Sequence, residues 1–143
     1  MKLFSKLLIT LLFLTFINTA QAARIDTAKP GKDPVHLIHV SEKNDVLTFT
    51  FRANKSFHDL TIEGVRIYTT REKSSSENVN YELKKTLLWE FTFKLKKANI
   101  DKTTIYIDYD KKGSADNNEK GGYYNVVEVD LSKFYKHYMK NKL

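Results

Sequence analysis

The chain has no cysteine. That excludes disulfides, thiol nucleophiles, iron–sulfur clusters and thiolate zinc sites. It also removes the attachment point of a lipoprotein lipid, so no covalent lipid anchor is expected. Small exported domains often offset a thin core with disulfides; this one has to stand on side-chain packing. A long hydrophobic run is also missing. The apolar stretch Leu7 to Ile17 is interrupted by Thr10 and Thr15. It falls short of the roughly 20 residues a helix needs to cross about 30 Å of hydrocarbon. No catalytic or cofactor motif stands out, and no cofactor is expected.

What is present at the N-terminus has three parts. Lys2 and Lys6 make a basic start, Leu7 to Ile17 an apolar middle, and Asn18-Thr19-Ala20-Gln21-Ala22 a polar exit with small residues at Ala20 and Ala22. This is the layout of a secretory signal peptide over residues 1–22, cleaved after Ala22. It reads as bacterial and places the protein in the periplasm or outside the cell. The 121 residues that remain amount to one domain. They carry 22 basic and 17 acidic side chains, a net charge of +5. Such a balance serves solubility and attracts anionic surfaces without specificity.

Residues 23–34 are polar and broken by Pro30, Gly31 and Pro34, which reads as a flexible lead. From residue 35 to residue 143 a single β-sandwich domain is expected, because the apolar period is two. Val35 to Val40 forms a short strand, followed by a turn over Ser41 to Asp45. In Val46 to Ala53, Leu47, Phe49, Phe51 and Ala53 alternate with Thr48, Thr50 and Arg52. Leu60 to Thr69 slips phase at Gly64, and a β-bulge at Glu63–Gly64 would return Leu60, Ile62, Val65 and Ile67 to one face. Leu87, Trp89, Phe91, Phe93 and Leu95 carry the strongest alternation, with Val79 to Leu83 as a strand that could stand apart. Ile105, Ile107 and Tyr109 point inward from the next strand, with Thr104, Tyr106 and Asp108 outward; Val127, Val129 and Leu131 point inward from the last. Polar loops span Arg71–Asn80 and Lys111–Gly122.

No helical crossover separates these strands, so the sheets should be antiparallel. The fold class expected is all-β: an antiparallel β-sandwich of immunoglobulin-like type with a short C-terminal α-helix. Ser132 is placed to cap that helix. Leu131, Phe134, Tyr135, Tyr138 and Met139 form its apolar face, which should dock on the protein's own core.

Candidate chemistry is sparse. His36 and His39 lie three apart, and in a regular strand that puts them on opposite faces. His58-Asp59 is the only adjacent His–acid pair, with Ser56 and Ser41 as hydroxyls, but no nucleophile elbow surrounds them. Asp108, Asp110, Asp116 and Glu119 are weak calcium candidates: the spacing resembles a calcium loop, yet Lys112 occupies a ligand position. Lys84, Lys85, Lys94, Lys96 and Lys97 suggest an outward basic stripe that, with Tyr106 and Tyr124, would bind an anion by charge and stacking. Lysines on exposed strands also discourage edge-to-edge pairing.

These observations point to an exported, non-enzymatic binding or accessory module that acts through loops or a sheet face, with a protein or glycan as partner. One alternative is a surface-active protein that binds anionic membranes or glycans through the lysine stripe and the basic helix. Another is a small hydrolase with a site not legible in the sequence. Export makes nucleic acid an improbable partner.

Overall fold

The computed structural model describes residues 24–70, 76–85, 88–111 and 124–142. The expected signal peptide, Leu87, and the calcium candidates Asp116 and Glu119 lie outside the described residues. The strands are β1 (Arg24–Thr27), β2 (Val35–Lys43), β3 (Val46–Ala53), β4 (Ser56–Phe57), β5 (Leu60–Thr70), β6 (Ser76–Asn78), β7 (Tyr81–Lys85), β8 (Trp89–Lys96), β9 (Thr103–Asp110) and β10 (Tyr124–Asp130). A 3-10 helix, Lys97–Lys102, joins β8 to β9, and α1 (Leu131–Lys142) follows β10 directly. The protein is thus mostly β, with two sheets and a short C-terminal helix.

Sheet I has the order β1-β10-β9-β5-β4, with β6 also paired to β5. Sheet II has the order β2-β3-β8-β7. Pairing is antiparallel except between β1 and β10, which run parallel. The segment expected to be a flexible lead therefore holds a strand. Its register is fixed by Asn125, whose side-chain amide donates to Asp26 Oδ2 at 3.0 Å. The Ala28 N–H continues the ladder to the Glu128 carbonyl at 2.8 Å. Such a short polar strand has no apolar alternation to announce it; the neighbour supplies the order.

The two tightest hairpins use two-residue loops. Asn44 and Asp45 (φ 52° and 59°) link β2 to β3, and His58 and Asp59 (φ 49° and 63°) link β4 to β5. Positive φ at both central positions matches the right-handed strand twist, and Asn, Asp and His tolerate it best among residues with a Cβ. The first turn is shorter than expected, because Ser41 to Lys43 remain in β2.

Bulges set which side chains face the core. In β5 the register shifts between Ile62 and Gly64, and Leu60, Ile62, Val65 and Ile67 are all buried. A second bulge, in β2, shifts the register between Leu37 and His39. It leaves His36 opposite Arg52 and His39 opposite Thr50. Both histidines therefore share the outer face of sheet II, contrary to the parity argument, since one extra residue restores their alignment.

The inward faces of both sheets feed one hydrophobic cluster. Phe49 stacks on Phe93 (5.3 Å between centroids) and Phe51 on Phe91 (5.5 Å). The Tyr109 phenol donates to the Asn54 carbonyl at 2.9 Å, and burial pushes its pKa far above the ordinary value. Helix α1 closes the cluster. Phe134 is 2% exposed and lies 5.8 Å from the Phe51 ring, while Tyr135 meets Phe49 edge-on at 6.0 Å. Burying Phe134 contributes about 1.5–3 kcal/mol by transfer alone. Met139, placed on the same stripe by spacing, is instead 43% exposed. The cap is Asp130 rather than Ser132: its carboxylate accepts from the Lys133 N–H at 3.1 Å, and the Ser132 hydroxyl turns to Asp101.

Candidate functional site

The residues singled out for anion binding do not form one stripe. Lys84 pairs in register with Glu90, and Lys94 and Lys96 follow on the outer face of sheet II. Lys85 sits opposite Trp89, on the inward side of β7, with its ammonium 4.8 Å from the indole centroid. Lys97 leaves the sheet for the 3-10 helix and bonds Glu42 at 3.0 and 3.1 Å. That contact raises its pKa above the ordinary lysine value. Tyr106 lies on the outer face of sheet I, so it cannot stack a ligand held by the sheet II lysines.

Of the calcium candidates, Asp108 faces outward on sheet I but is largely buried and taken by Arg66. The guanidinium holds both its oxygens, Nε to Oδ2 at 2.8 Å and Nη2 to Oδ1 at 2.6 Å. A fork–fork ion pair uses the oxygens a cation would need. The Asp110 carboxylate accepts from the Lys111 N–H at 2.6 Å.

His58-Asp59 is a turn, and its residue types answer to backbone geometry. The acid near His58 is Asp26, with Nε2 to Oδ2 at 3.7 Å. Donation from Asn125, then contacts with Arg24 and His58, hold the Asp26 carboxyl below its ordinary pKa against the opposing effect of desolvation. Among the described residues no serine hydroxyl is hydrogen-bonded to His58, and Ser41 lies in the other sheet. Among the described residues the parts of a nucleophilic triad are not brought together around His58.

The structure does assemble one site that spacing did not announce. On the outer face of sheet I, Arg66 stands opposite Tyr106, and Tyr68 stands one pair along on β5. The Arg66 guanidinium is 5.5 Å from the Tyr106 centroid, and the Tyr68 and Tyr106 rings are 6.0 Å apart, tilted by 60°. Both tyrosines are half-buried. Beside them, where the chain leaves sheet I for sheet II, is a groove of about 420 Å³ that reaches Asn78, Asn80 and Tyr81. A second groove of about 520 Å³ shares Asn80 and Tyr81 and runs on to Thr92 and Lys94. The N–H of Val79 bonds the Ile67 carbonyl at 2.9 Å, pinning the crossing segment between them. Tyr106 sits at an expected outward position; its adjacency to Tyr68 depends on β5–β9 register, which no local pattern encodes.

No family model, curated protein or solved structure matches the chain.

Proposed function

We propose that the protein is an exported, non-enzymatic binding module with an immunoglobulin-like sandwich fold, and that it recognises a glycan on the outer face of sheet I. The fold reading rests on strand order. An immunoglobulin sandwich runs A-B-E-D in one sheet and G-F-C, extended by C′, in the other. With β2, β3, β8 and β7 as A, B, E and D, sheet II has that order. With β10, β9, β5 and β6 as G, F, C and C′, so does sheet I, and β1 extends it beyond G. The cysteine pair of that fold is missing, and Trp89 stands on the E position rather than on C.

The observation that carries the function is the Tyr68–Tyr106–Arg66 surface beside the two joined grooves. Tyrosine rings give a sugar an apolar face with a polar rim. Asn78, Asn80 and Thr92 add neutral donors and acceptors along the groove, and a few convergent polar groups beside aromatic surface are what orient a small ligand. The Arg66–Asp108 pair holds the platform in place.

The test starts with protein recovered from the periplasm or medium, whose intact mass should begin at Ala23. It is then titrated with a panel of soluble neutral and acidic oligosaccharides, followed by amide NMR shifts. Binding should perturb β5 and β9, and Tyr68→Ala with Tyr106→Ala should weaken it about tenfold or more. Lys96→Gln, on sheet II and outside both grooves, should leave it nearly unchanged. If no oligosaccharide binds, or if a protein partner is captured on the same tyrosines, the glycan reading falls.

A further inference from the structure

Three separate pieces of chain meet at the C-terminal half of α1. Gly31, on the turn after β1, has φ of 74°, and a Cβ there would come within 3.0 Å of His137 Nε2. Between that turn, β2 and α1 lies a pocket of about 310 Å³. Leu37 and Phe134 form an apolar floor, and His36, His137, Asn141 and Lys142 stand at its polar side.

The surroundings are strongly basic. Helix α1 has four lysines and no acid. Lys29 and Lys32 are exposed on the turn that carries Gly31. The carboxylate closest in sequence, Asp33, is engaged by His36 Nε2 at 2.9 Å. The end of α1 itself carries about half a negative charge, which the full charges of Lys142, Lys140 and Lys136 outweigh. The pocket therefore lies in positive potential, yet its floor is apolar.

We propose that this pocket binds a phosphate group carried on an apolar body. Its nitrogen-bearing side chains come from two elements, His36 from β2 and His137, Asn141 and Lys142 from α1, and line one volume. That suits the several oxygens of a tetrahedral phosphate, in a monoester or a diester, better than the two coplanar oxygens of a carboxylate. Lys142 also lies 5.9 Å from the Tyr138 ring, which keeps its ammonium beside the pocket. The phosphate belongs either to a soluble phosphomonoester or to an anionic lipid headgroup.

The experiment uses the mature protein. Phenyl phosphate is titrated and followed by ³¹P and amide NMR; in parallel, the protein is sedimented with phosphatidylglycerol–phosphatidylcholine vesicles and with pure phosphatidylcholine vesicles. Binding of phenyl phosphate assigns a soluble ester, and binding only to the anionic vesicles assigns a headgroup. In either case His137→Gln with Lys142→Gln should weaken binding about tenfold or more, the scale of lost charge-assisted hydrogen bonds. His36→Gln is the second variant, and thermal unfolding confirms that each is folded. Lys94→Gln with Lys96→Gln, on sheet II, should change binding by less than about twofold, as for distant exposed charges. The proposal is overturned if neither probe binds, if the pocket variants bind as wild type does, or if the sheet II variant loses as much as they do.

Discussion

Among the described residues each sheet carries one arginine–carboxylate pair on its outer face, and the two have different standing. On sheet II, Arg52 and Glu90 sit directly opposite each other, and two guanidinium nitrogens, Nη2 and Nε, share a single oxygen at 2.8 and 3.1 Å. Their side chains are 42% and 29% exposed, among threonines and lysines. On sheet I, Arg66 and Asp108 lie diagonally across β5 and β9, matched oxygen to nitrogen, and the Asp108 side chain is only 12% exposed. The same two functional groups make a solvated ornament on one face and part of a packed platform on the other. Water decides the difference: exposed pairs are screened, while a carboxylate withdrawn from water depends on its partner.

The largest expected effect lies beneath both faces. Phe134→Ala should destabilise the protein by about 3–5 kcal/mol, lost transfer plus cavity, read as a lower denaturant midpoint. A midpoint equal to wild type would mean that α1 is undocked, and the common core assumed for the two faces would be lost. Asp108→Ala comes next. It removes both charge-assisted hydrogen bonds between Arg66 and Asp108 and should cost about 1–3 kcal/mol. Glu90→Ala, the matched change on sheet II, should cost about 0–1 kcal/mol. Equal losses at the two positions would erase the contrast between the faces.

The smallest effect depends on pH. Because the folded pKa of Asp26 lies below its ordinary 3.8, its ionised form favours the fold. That contribution is present above the ordinary value and is lost as pH falls through the folded value. Asp26→Asn should therefore be less stable than wild type at about pH 7, and the gap should narrow as pH falls below the ordinary value of 3.8. A gap that stayed constant with pH would show that the charge on Asp26 does not help to hold β1.

Much of the architecture was legible because burial imposes a period. Leu47, Phe49 and Phe51, and Phe91, Phe93 and Leu95, could only alternate as they do with one face inward. The bulge in β5 was legible because four apolar residues had to be reconciled around Gly64. The bulge in β2 was not, since Leu37, Ile38 and Val40 accept either parity; pairing with β3 chose one and brought His36 and His39 to the same side. The His58-Asp59 pair looked like chemistry and is a turn, because a two-residue hairpin demands positive φ whatever else those residues can do.

The amino-acid sequence by itself determined the β class, the inward positions of the core, the terminal helix and the exclusion of thiol chemistry. These follow from local periodicity and composition, which are properties of neighbouring residues. Only the tertiary structure decided that Arg24 to Thr27 joins β10, that Tyr68 meets Tyr106, that Asp108 belongs to Arg66, and that Gly31, His36 and His137 line one pocket. Each of these joins residues far apart in the chain. Their meeting depends on strand order and register, which are settled by the free energy of the whole core rather than by any stretch of sequence.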